Sequence, residues 1–450
     1  MIYFPALHTT VNRLSAYLFL YILTVALSVE GQNNVLTEKQ FIRGQISILA
    51  SGGMHGRGYV KNGVTDAAKY IRSTFQDLHL RTFNKAHDYV QEYEFPVNTF
   101  PGEMYLSLNK RELIPGADYI IDVASPSFAA EKLKGENIDL ATLIKTTDNS
   151  IDSALTDSAW LATLSSFDTK HIYRLDHVDS FCRAMRFKPR GFSARLPKGC
   201  YIIPEKTKLT WDVAKDTIAA TVFYIKQDAL PDNIKNADIE VQSLFIPAFH
   251  NENLIGYIPG TVNDTFIAFT AHYDHLGMMG DTTFFPGASD NASGTATMLY
   301  LISYFATHPQ HYSMLFIAFS GEEAGLMGSS YYVEHPIVPL KNIKFLTNID
   351  ILGDASDGIT VVNATEFPKE FSLLQKINDS QHYIPAIKSR GKAANSDHYF
   401  FTEKGVPSFF MYSNGGKGYY HDIYDAANEI TLNHVDGVVK LLIDFVKELK

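Results

Sequence analysis

Residues 271–294 read AHYDHLGMMGDTTFFPGASDNASG and place His272, Asp274, His275 and Asp290 close behind an apolar run, 265–271. Such a run has strand character. Once buried, it would deliver the polar residues that follow it to the C-terminal edge of a sheet, where open α/β folds keep their sites. Imidazoles and carboxylates gathered in one place, without cysteines, suit zinc in an open site rather than a closed structural one.

Outward from this stretch, α/β alternation runs to the end of the chain. Strands are expected at 241–246, 253–258, 266–271, 314–320, 344–351, 358–362 and 408–412, and helices at 292–305, 326–334, 369–378, 397–403 and 433–449. Strands separated by helices of this length predict an α/β fold, a mixed and mostly parallel sheet with helices on both faces. Further strand ends carry acids or a histidine: Glu322 and Glu323 after 314–320, Asp350 closing 344–351, and His421 beyond 408–412.

Each of these residues also has a plainer reading. Asp290 precedes a helix and would serve as its N-cap. Glu322-Glu323 and Asp350 would serve as solvated turn residues, and a histidine at a strand end is ordinarily a surface group. What favours a site is that all of them end elements of one sheet. Adjacent glutamates at a strand-to-loop junction point in different directions, so one can bind metal while the other faces water. Two metals sharing a carboxylate, about 3.5–4 Å apart, would polarise a carbonyl and acidify a water. The free glutamate would then carry the water's proton to a leaving amine. That chemistry is hydrolysis of a carbonyl–nitrogen bond.

The ordered motifs His272-Tyr273-Asp274-His275, 287–294 (GASDNASG), 319–329 (FSGEEAGLMGS), Asn348-Ile349-Asp350, Ser396-Asp397-His398 and Tyr420-His421 resemble the secreted dizinc aminopeptidases of the aminopeptidase Y and glutamate carboxypeptidase family. The resemblance implies two zinc ions bridged by Asp290, one completed by His272 and Asp350, the other by Glu323 and His421. It implies Glu322 as general base, Asp274 orienting His272, and Tyr420 binding the oxyanion, with Asp397 and Asp425 in support. His275 receives no role. Asp354 follows Gly353 where many relatives place arginine, and the loop 278–285 adds aromatic residues near the site; both bear on substrate preference.

The rest of the chain bounds this reading. With 450 residues and 46% hydrophobic content there is ample core for two or three domains. A net charge of −10 without a basic block argues against nucleic acid or an anionic membrane as partner. The apolar run 16–28 is shorter than the roughly 20 residues of a membrane span and is followed by small and polar residues. It reads as a cleaved secretory signal, residues 1–31, leaving a secreted or periplasmic protein without stable membrane association; an uncleaved anchor is the alternative.

Residues 32–97 are expected to supply the N-terminal helices of the peptidase domain, the first from a capping box at Thr37-Glu38-Lys39-Gln40 and the second from Thr65. The glycine-rich loop 51–58 between them lacks a Gly-Lys-Ser/Thr ending and reads as a flexible connector rather than a phosphate cradle. Residues 98–238 are expected to form an inserted, largely β subdomain, matching in position the protease-associated domain of the family, with no metal constellation of its own. The catalytic domain is 239–450. Cys182 and Cys200 would close a short loop as a disulfide or stand as two buried thiols.

The functional expectation is an exported zinc aminopeptidase acting on peptides. A carboxypeptidase or dipeptidase on the same core is the alternative, and a glutaminyl cyclase-like transferase or an inactive receptor-like binding protein stands further off.

Overall fold

Alternate residues of the run behind His272 enter different cores. Ile267, Phe269 and Ala271 belong to one, Phe266 and Ala268 to the other. Met314, Phe316 and Ala318 separate from Leu315, Ile317 and Phe319 in the same way. A sheet whose two faces are both apolar must be covered on both, and the computed structural model, which describes residues 36–83, 88–147 and 150–449, has that layered form.

The central sheet contains β1 (Val90–Thr99), β2 (Leu244–Ile258), β3 (Val262–His272), β4 (Tyr312–Phe319), β5 (Ile343–Ile349), β6 (Ile359–Val362), β7 (Ile387–Ser389) and β8 (Ser408–Ser413). Their order is β1-β2-β4-β3-β5-β8-β6-β7. The four neighbours β4, β3, β5 and β8 are mutually parallel, while β1, β2 and the β8–β6 pair add antiparallel contacts. The helices are α1 (Glu38–Leu49), α2 (Gly63–Asp77), α3 (Gly294–Thr307), α4 (Met327–Glu334), α5 (Pro368–Gln381), α6 (His398–Glu403) and α7 (Val435–Glu448). Buried residues of α1, α2, α3, α5 and α7 pack on one face, and Tyr332, Val333 and Phe401 from α4 and α6 pack on the other. The mixed α/β sheet with helices on both faces is as expected. Strand β1 was not anticipated: Pro96 reads as a breaker, but it lies at a register shift on an edge strand, where proline is tolerated.

A second eight-stranded sheet is built from strands between Met104 and Val241, a stretch that leaves the chain after β1 and returns just before its partner β2. Its strands Phe128–Asp139, His171–Asp176, Cys200–Glu205 and Thr221–Lys226 run parallel. Helices Ser153–Leu164 and Val178–Ala184 lie among them in the chain, so this region, β-rich as expected, also carries helices. One face packs Tyr173 and Tyr201 with Trp160 and Phe181; the other packs with Phe100, Leu276, Met279 and Phe285. The loop 278–285 therefore docks this sheet through Met279 and Phe285, while Phe284 stays partly exposed. Met278–Met279 pairs with Thr283–Phe284, and Phe285 is buried in a stack on Trp211, 4.7 Å between ring centroids.

Cys182 and Cys200 are buried free thiols, and burial pushes Cys182 up to about 11. The glycine-rich loop is not a flexible connector. A Cβ on Gly58 would lie 2.3 Å from the Gly277 Cα, and one on Gly56 would lie 2.3 Å from the Gly277 carbonyl oxygen. The glycines allow two backbones to touch. Among the described residues no helix is long and apolar enough to cross a membrane. The expected signal at 1–31 lies outside the described residues.

Candidate metal centre

The four parallel strands end side by side, and their C-terminal edge carries the acids and imidazoles. His272 is the last residue of β3. Glu322 and Glu323 follow β4 through a turn that needs glycine at Gly321, φ 70°. Asp350 directly follows β5, and His421 reaches back from the loop after β8. Asp290 lies in an irregular turn, Ala288–Ser293, leading into α3, with a cis peptide to Asn291. Asn291 clamps that turn to the end of β5. Its Oδ1 accepts from the Gly294 and Ile351 amides at 2.9 and 3.2 Å, and its Nδ2 donates to the Ile349 carbonyl at 3.0 Å.

Asp290 spans the centre. Its Oδ1 is 3.3 Å from His272 Nε2, which also lies 3.2 Å from Asp350 Oδ1. Its Oδ2 is 3.2 Å from His421 Nε2, which lies 3.1 Å from Glu323 Oε2. Each imidazole is held from behind by its other nitrogen: His421 Nδ1 donates to the Trp211 carbonyl at 2.8 Å, and His272 Nδ1 faces the Asp274 carbonyl at 3.2 Å. Such bonds fix the tautomer and aim Nε2 at the centre. Ser396 donates to Asp350 Oδ2 at 2.8 Å and accepts from Asn348, which accepts from Thr270, so a buried polar chain backs Asp350. Asp425 receives the Ser289 and Asp290 amides at 2.9–3.1 Å.

The electrostatics call for cations. Burial opposes protonation of His272, yet Asp350 and Glu322 overcome it and hold its pKa well above the ordinary value. Burial likewise opposes His421, but Glu323 and Asp290 hold it up at about 11. Burial disfavours the Glu323 carboxylate, and His421 more than compensates, bringing it down to about 2. For Asp290 the bonds from His272 and His421 also outweigh burial and hold it well below the carboxylate range. Glu322, partly exposed, goes the other way: burial of its carboxyl group, with Glu323, Asp350 and Asp397 nearby, raises it well above its ordinary value. Burial pushes Asp397 up to about 7. Carboxylates this close need counter-charge, and the oxygen and imidazole donors, without thiolate, suit zinc ions with an open position. Groups with metal-ligand spacing are His272/Asp290/Asp350, His275/Asp290/Glu323, His272/Glu322/Glu323 and Asp212/Glu323/His421.

The structure thus brings together all five residues expected as ligands, with Glu322 beside them. Asp274 does more than face His272, from which its Oδ1 is 3.7 Å. Its carboxylate accepts the Tyr59 hydroxyl at 2.5 Å and the Glu322 and Glu323 amides at 3.2 Å, fixing the turn that carries the two glutamates. Tyr420 is 42% exposed and stacks on His421 at 3.9 Å. Asp354 bonds to Ser356, Thr431 and Asn433 and borders a cavity of about 250 Å³ that Ser289, Tyr420 and Asp425 also line. His398 is buried against Phe410, and burial lowers it to about 4.

Three contributions escaped the sequence reading. His275, left without a role, is fully buried, and its Nδ1 lies 2.7 Å from Glu323 Oε1. Arg57, from the glycine-rich loop, is fully buried and donates to five carbonyls, those of Leu49, Tyr273, Pro286, Gly287 and Asp290. Asp212 enters from the region in which no metal constellation was expected. His275 was visible in the His-Tyr-Asp-His motif. The signal for Arg57 was an arginine among glycines, which marks close backbone approach.

The sequence from β2 to α7 matches the profile of peptidase family M28 over residues 253–446. Over those residues the chain is similar to the peptidases of that family. Aminopeptidase YwaD of Bacillus subtilis is 32% identical over 174 residues, 37% of each chain. A probable leucine aminopeptidase of Arthroderma otae is 26% identical over 235 residues, 48% of this chain and 61% of the relative. The chain thus spans between about a third and three fifths of the length of these relatives. The solved structure of BSAP, a zinc aminopeptidase from Bacillus subtilis, superposes with a TM-score of 0.65 at 20% identity, covering 93% of this chain and 97% of that one. The shared fold therefore extends over the second sheet as well as the matched residues.

Proposed function

We propose that the protein is an exported dizinc aminopeptidase that removes N-terminal residues from peptides. The observation that carries this is Asp290, whose two oxygens face two separate His-plus-carboxylate sets. In this reading His272, Asp350, Asp290, Glu323 and His421 would hold the zinc ions. When bound, the zinc ions would polarise the scissile carbonyl and acidify the attacking water.

The remaining work falls to the protein. Glu322 accepts the water's proton and passes it to the departing amine; its raised pKa suits a group that must both take and give. Asp274 fixes the turn that places Glu322, and Asn291 and Asp425 fix the turn that places Asp290. Burial and nearby carboxylates raise the Tyr420 pKa, so it keeps its proton and can donate to the oxyanion. The cavity beside Tyr420 would take the first side chain. Residues 98–238 are read as an inserted protease-associated-like subdomain and 239–450 as the catalytic domain. Export rests on the apolar run 16–28.

A zinc count on purified protein, with turnover of free and N-acetylated aminoacyl anilides, tests the proposal. Two zinc ions per chain and hydrolysis restricted to free amines are expected. Full activity after metal removal, or equal turnover of blocked substrates, would sink it.

A further inference from the structure

A strap from the second-sheet region crosses one side of the metal centre. Lys208 Nζ bonds Asp422 Oδ2 and the Gly418 carbonyl, both at 3.0 Å. Trp211 is joined to His421 in both directions, its amide donating to the His421 carbonyl at 2.9 Å and its carbonyl accepting from His421 Nδ1 at 2.8 Å. The Ala214 carbonyl accepts the Asn98 amide at 2.9 Å, and Lys215 Nζ approaches Met327 Sδ at 3.3 Å, just beyond the turn of Glu322 and Glu323. The strap is fixed from inside as well: Trp211 Nε1 donates to the Ile121 carbonyl at 2.9 Å and its ring stacks on Phe285. Residues 208–215 thus run from the His421 loop to the Glu322 side. Asp212 stands in the middle, with a carboxylate oxygen within 4.8 Å of ligand atoms of Glu323 and His421.

We infer that Asp212 receives the α-ammonium of the peptide substrate and that the strap closes the site at the substrate's N-terminal end. The inference rests on the aminopeptidase reading and adds the group that enforces it. On that reading His421, Glu323 and Asp290 would give the second zinc three protein donors, and a catalytic zinc keeps a position open. A fourth protein donor would fill that position. His421 and Glu323 are buried, whereas Asp212 is partly exposed, its Oδ1 accepting the Val213 amide at 2.9 Å. A peptide entering against a strap cannot extend past it. Its terminus then lies where a carboxylate gives a charge-assisted hydrogen bond.

Asp212→Asn and Asp212→Ala, prepared as zinc-loaded full chains, test this with two probes: leucine hydroxamate and 4-methylpentanohydroxamate, which differs only in lacking the amine. The wild type should bind leucine hydroxamate more tightly, and both variants should lose about 10- to 100-fold of that advantage. The amine-free probe should bind all three proteins alike, which also reports an intact fold and centre, and zinc should stay at two per chain. An unchanged advantage, equal weakening of both probes, or a drop to one zinc, which would make Asp212 a metal ligand, overturns the inference. A wild type that turns over no aminoacyl anilide overturns the aminopeptidase reading itself. Turnover with an advantage insensitive to Asp212 overturns only the strap.

Discussion

Replacing Arg57 by methionine tests how the floor of the site is held. The guanidinium is fully buried and donates to five carbonyls at 2.7–3.1 Å, two of them, Gly287 and Asp290, at the start of and within the turn that carries the Asp290 carboxylate. Charged hydrogen bonds contribute about 1.5–3 kcal/mol each but do not add when they share one donor. Against them stands the desolvation of the cation, which lowers its pKa to about 10 although Asp290, Asp425, Asp274 and Glu323 all support it. Arg57 is therefore still charged at neutral pH. Removing a buried ion from its partners typically costs about 3–5 kcal/mol, and that is the loss expected for the metal-free Arg57→Met variant. With zinc bound, the same carboxylates have other counter-charges. The Coulombic share, about 1–2 kcal/mol per pair at an effective dielectric near 20, then shrinks, so the zinc-loaded variant should lose less. By linkage the variant should bind zinc more tightly, by roughly tenfold. Urea unfolding followed by tryptophan fluorescence, with and without zinc, gives both numbers. A metal-free loss below about 1 kcal/mol, or a larger loss with zinc than without, would refute this account of Arg57.

Further predictions concern the centre itself. Glu322→Gln should retain both zinc ions while turnover falls by at least about 10³-fold, read by metal analysis beside steady-state kinetics. Tyr420→Phe should lower kcat by about 10- to 100-fold with KM little changed; a loss confined to KM would contradict an oxyanion role. Gly294→Ala would place a Cβ 2.2 Å from Asn291 Oδ1 and 2.5 Å from the Ile349 carbonyl, so it should break the clamp and lower both stability and zinc content. In the metal-free protein His421 is held at about 11 and His272 is raised, so their contribution to stability is full below the ordinary 6.5 and fades as pH rises toward those values. Glu323, at about 2, contributes above its ordinary 4.5 and is lost as pH falls through 2. Glu322 and Asp397, whose raised carboxyls resist ionising in the folded state, cost stability as pH climbs past their ordinary 4.5 and 3.8, so metal-free stability should peak near about pH 4 and fall on the alkaline side. Zinc uptake at pH 7 should release about two protons, one from each imidazole, measurable by calorimetry in buffers of different ionisation enthalpy.

The strand ends were legible because the same feature sets fold and chemistry. A strand buried on both faces is a short run of apolar residues, and the first polar residue after it marks the edge of the sheet. His272, Glu322 and Asp350 all stand at such boundaries, and the spacing alone placed them together. His421 was harder, since it lies well beyond the end of β8 and depends on a loop whose path is set by Trp211 and Lys208. Periodicity carries no information about that loop.

What stayed hidden arrives from parts of the chain far away in sequence. Arg57 and the strap at 208–215 act through backbone carbonyls, amides and packed rings, and a carbonyl leaves no mark on residue type. Glycines at 56 and 58 looked like freedom because local sequence cannot distinguish a glycine that moves from one that another backbone presses against. Asp212 looked like any acid in a polar loop, since its neighbours Glu323 and His421 lie more than a hundred residues away. These residues come from stretches outside the matched 253–446. On the proposals above, the matched core brings the zinc ligands, while the segments around it decide how firmly its floor is held and which end of a peptide it accepts. If so, exchanging the strap should change the preference between free and blocked termini while the zinc count stays the same, a separation that a purely structural second sheet would not produce.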